Sequence, residues 1–285
     1  MCIRDSHSIE TGNFKLDGGA MFGVVPKVLW EKTNPADSQN RIEMSARCLL
    51  IEDGEKLILI DAGLGNKQSE KFFSHYARSG DMTLESSLAS CGFGVEDVTD
   101  VFLTHLHFDH CGGATKREGD KIIPVFKNAK FWCSKNHWEW ASVSPNPREK
   151  ASFLEENLLP LKESGQLNLF DSTEDGFCSE LGFDLLLVDG HTEQMALPKV
   201  QYKGKTILFA SDLVPTAGHI PIPYLMGYDV RPLVTMEEKT RILNNLVENN
   251  SLLFLQHDPV NEVVFLKKTE KGVRFDRSSK LKDLF

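Results

Sequence analysis

The residues best suited to chemistry lie between Thr104 and Gly113, where three histidines and an aspartate fall within six positions. They are His105, His107, Asp109 and His110, and they follow the apolar run 101–103 directly. Imidazole nitrogen and carboxylate oxygen are donors that zinc and similar divalent cations prefer. Histidine supplies only 9 of 285 residues, so composition alone does not explain the cluster. The spacing predicts a metal site built on one turn of the chain.

Three further candidate ligands each follow an apolar segment that is typical of a buried strand. His191 follows 183–188, Asp212 follows 205–211, and His257 follows 251–256. Strands of one sheet can end at a common edge, so that edge can gather side chains that are distant in sequence. Helical patterns at 84–88, 151–158 and 237–247 lie between the strand-like runs and predict an α/β protein.

The order of these motifs resembles that of the metallo-beta-lactamase superfamily. His-x-His-x-Asp-His at 105–110 matches the first signature, and His191 lies in a Gly-His-Thr motif. The resemblance implies a four-layer αββα sandwich with two divalent metal ions, expected to be zinc, at one edge between the sheets. It assigns His105, His107 and His191 to one metal, Asp109, His110 and His257 to the second, and Asp212 to a bridge between them.

Hydrolysis is the chemistry that such a centre implies. Two divalent cations roughly 3.5 to 4 Å apart lower the pKa of a shared water and polarise the bond under attack. Asp109 could also accept a proton from that water, but coordination is its first expected role. The chain has no Gly-x-Ser-x-Gly, Walker or Gly-x-Gly-x-x-Gly motif, which disfavours the commonest competing mechanisms.

Asp61 stands in Ile58–Gly63, which resembles the Asp-x-Gly turn that follows an early strand in the superfamily. There it would accept a hydrogen bond from a metal-bound imidazole. The alternative is an ordinary aspartate at the end of a strand.

The substrate side is predicted from two loops. The segment 17–27 resembles a loop of quorum-quenching lactonases and methyl parathion hydrolase-like members that overhangs the metals. Met21 and Phe22 would then line an apolar pocket with Trp30 behind them, and Phe108 would face its mouth. The alternative for 17–27 is a hairpin turn with core anchors. Tyr224, in a proline-rich loop, would either bind the developing oxyanion or pack.

The leading hypothesis is a zinc-dependent hydrolase that opens lactones of the acyl-homoserine type or cleaves related carboxylic esters. A phosphotriesterase is the runner-up, and thioester or β-lactam cleavage comes third, because one nucleophile serves all of them. A mononuclear iron oxygenase is the alternative from another class. Leu106 occupies the position where flavodiiron relatives carry a glutamate, which disfavours iron redox chemistry.

Two departures from the pattern concern loops. Many relatives continue Gly-His-Thr with Pro-Gly, whereas Thr192 is followed by Glu193, Gln194 and Met195. The conformation beside His191 is therefore not predicted. Cys111 adjoins the metal motif, and packing is its favoured role.

Composition sets the remaining expectations. With 285 residues and 41% hydrophobic content, we expect one domain over 7–285, with 1–6 as a non-native leader. The absence of an apolar span and of paired Cys-x-x-Cys motifs favours a cytoplasmic protein without membrane association. The alternative is an exported protein whose signal is missing, if the first residues are not native. A net charge of −9 disfavours nucleic acid as a partner. The substrate that the resemblance implies is a small lactone or ester. The resemblance also suggests a homodimer.

Overall fold

Two sheets lie face to face in the computed structural model, which describes residues 3–171 and 174–284. The first sheet has the order β1-β2-β3-β4-β7-β8 and the second β15-β14-β13-β12-β11-β10-β9, while β5 and β6 form a separate hairpin. The strands are Ile3–Asp17 (β1), Arg41–Asp53 (β2), Lys56–Ile60 (β3), Asp100–Phe102 (β4), Thr115–Glu118 (β5), Lys121–Pro124 (β6), Lys130–Ser134 (β7), Leu167–Phe170 (β8), Gly176–Cys178 (β9), Phe183–Val188 (β10), Met195–Tyr202 (β11), Lys205–Phe209 (β12), Leu252–Phe254 (β13), Val263–Thr269 (β14) and Gly272–Ser279 (β15).

Helices lie on the outer faces of both sheets and in the loops at the sheet edges. Among the described residues they are Gly18–Phe22 (α1), Lys27–Trp30 (α2), Glu70–Ser74 (α3), Leu84–Ser90 (α4), Phe108–Cys111 (α5), Lys135–Ser142 (α6), Glu155–Glu163 (α7) and Pro232–Glu248 (α8). The predicted helices at 84–88 and 237–247 correspond to α4 and α8. The predicted helix at 151–158 begins later, at Glu155, after a turn of 3-10 helix at Lys150–Ser152.

Side chains alternate between the two faces of each strand, and this alternation explains the layers of the fold. In β3, Leu57 and Leu59 face the layer that contains α4, α6 and α7, whereas Ile58 and Ile60 face the second sheet. Successive strand residues point to opposite faces, so a strand that is apolar at every position is buried on both. In the same way β12 places Ile207 between the sheets and Leu208 against α8. These three apolar layers confirm the predicted four-layer αββα sandwich.

Strand direction brings the candidate ligands to one edge. Strands β3, β4 and β7 are parallel neighbours, and β12 is parallel to β13. Their carboxyl ends therefore open onto the same side of the sandwich, where the loops carrying Asp61, His105, Asp212 and His257 begin.

At the amino terminus, strand β1 begins at Ile3 and pairs with β2, four residues before the predicted domain start. The non-native origin of 1–6 stays a prediction. No helix in the described part of the chain is long and apolar enough to cross a membrane.

Candidate metal centre

The loop between β4 and β5, residues 104–113, is called the metal loop here. A single buried carboxylate, Asp61, fixes its start by accepting hydrogen bonds from the Thr104 backbone N–H at 2.8 Å and from Thr104 Oγ1 at 2.9 Å. Its end lies directly on the neighbouring turn, because a Cβ on Gly113 would come within 2.0 Å of Ala62 O. The glycines are required by this close approach rather than by flexibility.

Three imidazoles meet at one point next to Asp212. The Nδ1 atom of His107 lies 3.1 Å from Nε2 of His105 and 3.2 Å from Nε2 of His191. Oδ2 of Asp212 lies 3.1 Å from Nε2 of His191 and 3.8 Å from Nε2 of His105. All four donor atoms fall within 4.8 Å of one another.

A second cluster lies on the other side of Asp212. The Nε2 atoms of His110 and His257 are 3.2 Å apart, and Oδ2 of Asp109 lies 3.9 Å and 3.8 Å from them. Asp212 also reaches this cluster, with Oδ2 at 3.4 Å from His110 Nε2 and Oδ1 at 3.1 Å from His257 Nε2. One carboxylate therefore contacts both clusters, as the predicted bridge requires.

The donor spacing fits divalent cations. Four donors placed tetrahedrally at about 2.0–2.1 Å from an ion are about 3.3 Å from each other, close to the nitrogen separations observed. Each histidine also has its outer ring nitrogen held by an acceptor, which turns the other nitrogen inward. These outer partners are Thr104 Oγ1 for His105 (3.1 Å), Glu149 Oε2 for His107 (3.3 Å), Asp61 Oδ2 for His110 (3.0 Å), Asp229 Oδ1 for His191 (3.0 Å) and Ser45 O for His257 (2.8 Å).

The charges of the site favour a cation. Burial and the neighbouring imidazoles hold the pKa of His105 well below its usual value, so this ring is a neutral donor at pH 7. Burial also lowers the pKa of His191, but the Asp212 and Asp229 carboxylates outweigh it and raise the value to about 10. The buried carboxylates are therefore stabilised by positive charge, which protonated histidines or bound metal ions can supply. A metal ion that binds here must displace protons from the histidines.

A cavity of about 240 Å³ opens onto both clusters. His107, Asp109, His191, Asp212 and His257 form its polar floor. Its remaining lining is mostly apolar or aromatic, and consists of Leu16, Met21, Met44, Tyr76, Phe108, Met226 and Tyr228 together with Arg148, Glu149, Ala151 and Ser152.

Among the residues predicted to bind substrate, Met21 and Phe108 line this cavity and three others do not. Phe22 is fully buried and stacks between Trp30, at a centroid distance of 5.3 Å, and His219, at 4.1 Å. Tyr224 packs edge-on against Phe22 at 6.4 Å. In a loop this rich in glycine and proline, sequence does not determine which side chains turn inward.

Tyr228 occupies the cavity wall instead of Tyr224. Tyr228 is 40% exposed, and its partial burial together with the nearby charge of Asp109 raises its pKa to about 12, so the phenol keeps its proton near neutral pH. Residues 220–229, which carry both tyrosines, are called the wall loop below.

Sequence reasoning also missed the carboxylates behind two histidines. Asp229 holds His191, and Glu149 holds His107. Both are single acids in irregular segments, and no spacing motif marks them. Asp61 could be found, because it directly follows a strand in a turn that resembles a family element.

The loop after His191 lacks the Pro-Gly that many relatives have, and other contacts fix its conformation. Gln194 adopts a φ of 45° and donates its backbone N–H to Asp189 Oδ1 at 2.8 Å. Glu193 pairs with Arg231 at 2.5 Å, and its carbonyl contacts Nδ1 of the buried His137 at 2.5 Å. The turn is therefore fixed by side-chain contacts rather than by proline.

The αββα sandwich and the two His/Asp clusters define a metal-dependent hydrolase. The family model of the metallo-beta-lactamase superfamily matches residues 42–257. The chain belongs to this superfamily, and the clusters are the sites for its divalent metals, with two ions indicated.

Solved structures support the fold along nearly the whole chain. A probable metal-dependent hydrolase from Staphylococcus aureus is 28% identical, with a TM-score of 0.86 over 99% of this chain and 98% of that one. AidC, a dizinc quorum-quenching lactonase seen with a product, is 22% identical, with a TM-score of 0.77 over 96% of this chain and 94% of AidC.

A curated relative matches over a shorter stretch. Exodeoxyribonuclease YycJ of Bacillus anthracis is 28% identical over 89 residues, which are 31% of this chain. The match spans only 28% of that relative's length.

Proposed function

We propose that the protein is a dinuclear zinc hydrolase that opens lactones, such as acyl-homoserine lactones, or cleaves related carboxylic esters. The observation that carries the proposal is the cavity, in which Met21, Met44, Phe108 and Met226 form apolar walls above a floor of metal-binding side chains. Thioether and aromatic walls suit an acyl chain, and the polar floor suits the ester group at its end.

The seven predicted ligands form two adjacent sites, one for each metal ion. Imidazole-rich coordination with one shared carboxylate is typical of zinc. When bound, such a pair of ions supplies a nucleophile from water near neutral pH and polarises the carbonyl. The two ions would be held by His105, His107 and His191 on one side and by Asp109, His110 and His257 on the other, with Asp212 between.

Tyr228 is the side chain that would donate a hydrogen bond to the carbonyl oxygen of the substrate. Its phenol retains its proton, because burial and Asp109 raise its pKa to about 12. A protonated phenol at the cavity wall can donate a hydrogen bond to the oxygen on which negative charge develops. Asp109 would act as a metal ligand rather than as a base, since its carboxylate oxygen lies beside His110 and His257 in the second cluster.

AidC supports the choice of a lactone among the substrates that this nucleophile can attack. It is described as a dizinc quorum-quenching lactonase bound to N-hexanoyl-homoserine as product, and its fold covers 96% of this chain. A phosphotriester remains the competing substrate, because water activated at such a metal centre would attack phosphorus as well as a carbonyl carbon.

The test combines metal analysis with a panel of substrates on one sample. We expect two zinc-like ions per chain, and turnover of hexanoyl- and decanoyl-homoserine lactone well above that of a matched phosphotriester. The metal-free protein, prepared with a chelator and assayed before and after zinc is restored, is the control.

Each contrary result points to one alternative. Two metals with phosphotriester turnover alone would replace the lactonase with the runner-up hydrolase. A single iron per chain with no hydrolysis would indicate an oxygenase.

A further inference from the structure

A buried lysine fastens the wall loop to helix α8. Lys239 is fully buried, and its Nζ donates to the carbonyl oxygens of Tyr224 at 2.8 Å, Pro221 at 3.0 Å and Ile222 at 3.5 Å. An ammonium group has three N–H donors, and these three carbonyls use all of them.

The composition of the wall loop explains why it needs such a donor. Pro221 and Pro223 have no backbone N–H, so the loop has fewer amides with which to satisfy its own carbonyls. A carbonyl buried without a partner is costly. Lys239 supplies from the helix the donors that the prolines remove.

The wall loop in turn shapes the metal centre. Met226 and Tyr228 line the cavity, and Asp229 Oδ1 holds Nδ1 of His191 at 3.0 Å. The other oxygen of Asp229 accepts the Met226 backbone N–H at 3.1 Å. A shift of the loop would therefore move the pocket wall and the support of a metal-binding histidine together.

The preceding residue on α8 holds a different loop. Glu238 accepts the backbone N–H of Asp189 at 2.6 Å and of Gly190 at 3.1 Å, immediately before His191. Two adjacent side chains, one acidic and one basic, thus fasten the two loops that meet at His191. This pair provides a matched comparison within one helix turn.

We propose that Lys239 is a positioning residue of the hydrolase, which holds the wall loop against the metal centre and so sets the length of acyl group that the cavity accepts. Lys239 touches neither a metal-binding side chain nor the cavity, so it acts through the carbonyls at 221, 222 and 224. This role in acyl selection rests on the proposed function, whereas the role in ordering the loop does not.

Replacing Lys239 by methionine has two opposing effects on stability. Burial lowers the pKa of Lys239 to about 7, and the charge of Asp229 opposes that shift only in part. The buried His219, whose own pKa is lowered to about 3 by burial, is also influenced by the Lys239 charge. The variant loses a costly buried ammonium but leaves three carbonyls without this donor, so chemical denaturation of Lys239→Met accompanies the exchange experiment and checks that the variant is folded.

The first experiment is hydrogen exchange on the zinc-loaded wild type and on Lys239→Met, Glu238→Gln and Arg241→Met. In Lys239→Met we expect the amides of Tyr224, Met226 and Gly227 to exchange at least about tenfold faster. In Glu238→Gln the increase should fall on the peptide containing residues 189–190. Arg241, whose partner is the exposed Asp175, serves as the control for charge loss on the same helix and should change neither loop.

The second experiment compares butanoyl- and decanoyl-homoserine lactone. In Lys239→Met we expect KM for the long chain to rise about tenfold while kcat falls less than about threefold. Metal content should stay at the wild-type value. If wild type opened no lactone, the proposed function would fail while the exchange result still decided the positioning role.

Two outcomes would overturn the inference. One is wild-type exchange in residues 220–229 of Lys239→Met. The other is faster exchange spread evenly over α8 and the second sheet, since that would indicate only a general loss of stability.

Discussion

The metal loop and the wall loop border the same cavity, but different contacts fix them. The metal loop lies directly on neighbouring backbone at Gly113, against Ala62 O, and side chains also hold it, namely Asp61 at Thr104 and Lys67 at Gly112 O. Side chains from distant segments hold the wall loop, chiefly Lys239 and Arg148, which donates to Gly227 O. The difference is one of degree: the metal loop has the closer backbone contacts, at 2.0 Å for a Cβ on Gly113 against 3.0 Å for one on Gly227. We therefore expect single side-chain substitutions to shift the wall loop more easily than the metal loop.

Backbone connections within each loop agree with this division. The Ala62 N–H donates to His110 O at 2.7 Å and the Gly113 N–H to Gly63 O at 2.9 Å, so two backbone bonds join the metal loop to one turn. The wall loop has a backbone bond from Gly227 N–H to Ala20 O at 2.7 Å. Its connection to α1 brings Met21 into the same wall.

The largest effect should come from Asp212, the one carboxylate that contacts both clusters. For Asp212→Ala we expect metal content to fall to one ion or none and kcat/KM to drop about 10³-fold or more, since no other side chain bridges the described clusters. Elemental analysis and steady-state kinetics measure both. Asp184→Ala, on the exposed face of β10, is the control. Retention of two metals and full rate would refute the ligand assignment.

The backbone contact of the metal loop is tested by Gly113→Ala. The new Cβ would meet Ala62 O at 2.0 Å, which neither loop can relieve without a shift of the ligands. We expect the free energy of unfolding to fall by about 3 kcal/mol, with weaker metal binding. Chemical denaturation of the metal-free and the zinc-loaded protein measures both effects.

Gly176→Ala is the matched control, because the nearest atom to its added Cβ would be Glu174 O at 4.0 Å. Equal stability of the two alanine variants would show that the close approach at Gly113 is unimportant.

Sequence could predict the metal loop because its information is local. Four donors within six residues after an apolar strand need no knowledge of distant contacts, and the structure brings them together with His191, Asp212 and His257. Parallel strand order explains the rest, since segments that end in a polar residue at one sheet edge meet there. The layered architecture follows from the same apolar strand patterns.

The wall loop could not be predicted in this way. Whether Tyr224 or Tyr228 reaches the cavity depends on two contacts between residues distant in sequence: Lys239 with Tyr224, 15 residues apart, and Asp229 with His191, 38 residues apart. Phe22 was predicted to line the pocket, with Trp30 behind it, from the resemblance of 17–27 to a lactonase loop. Their buried aromatic stack instead matches the alternative for this segment, which was core anchors. Hydrophobicity identifies burial and does not identify which cavity a side chain faces.

Substitution of Tyr224 and of Tyr228 tests which of the two tyrosines acts on the substrate. We expect Tyr228→Phe to lower kcat about 100-fold with little change in KM, because a donor to the developing oxyanion is lost. Tyr224→Phe should change kcat less than about twofold, because its ring packs on Phe22 away from the cavity. Steady-state kinetics on one lactone decides between them. The reverse pattern would restore the role predicted from the sequence for Tyr224.

The smallest effect is expected at Cys111, which tests whether every group in the metal loop serves the metals. Its thiol is fully buried and donates to Leu106 O at 3.3 Å, and burial raises its pKa to about 12. A thiol in this state bonds to the loop backbone and supplies no thiolate to the metals. In Cys111→Ser the hydroxyl can keep the bond to Leu106 O, so we expect kcat/KM within about twofold of wild type and a stability loss of about 1 kcal/mol. A loss of one metal ion in this variant would instead indicate that Cys111 is a metal ligand. The metal loop would then contribute a thiolate to the centre in addition to its histidines and Asp109.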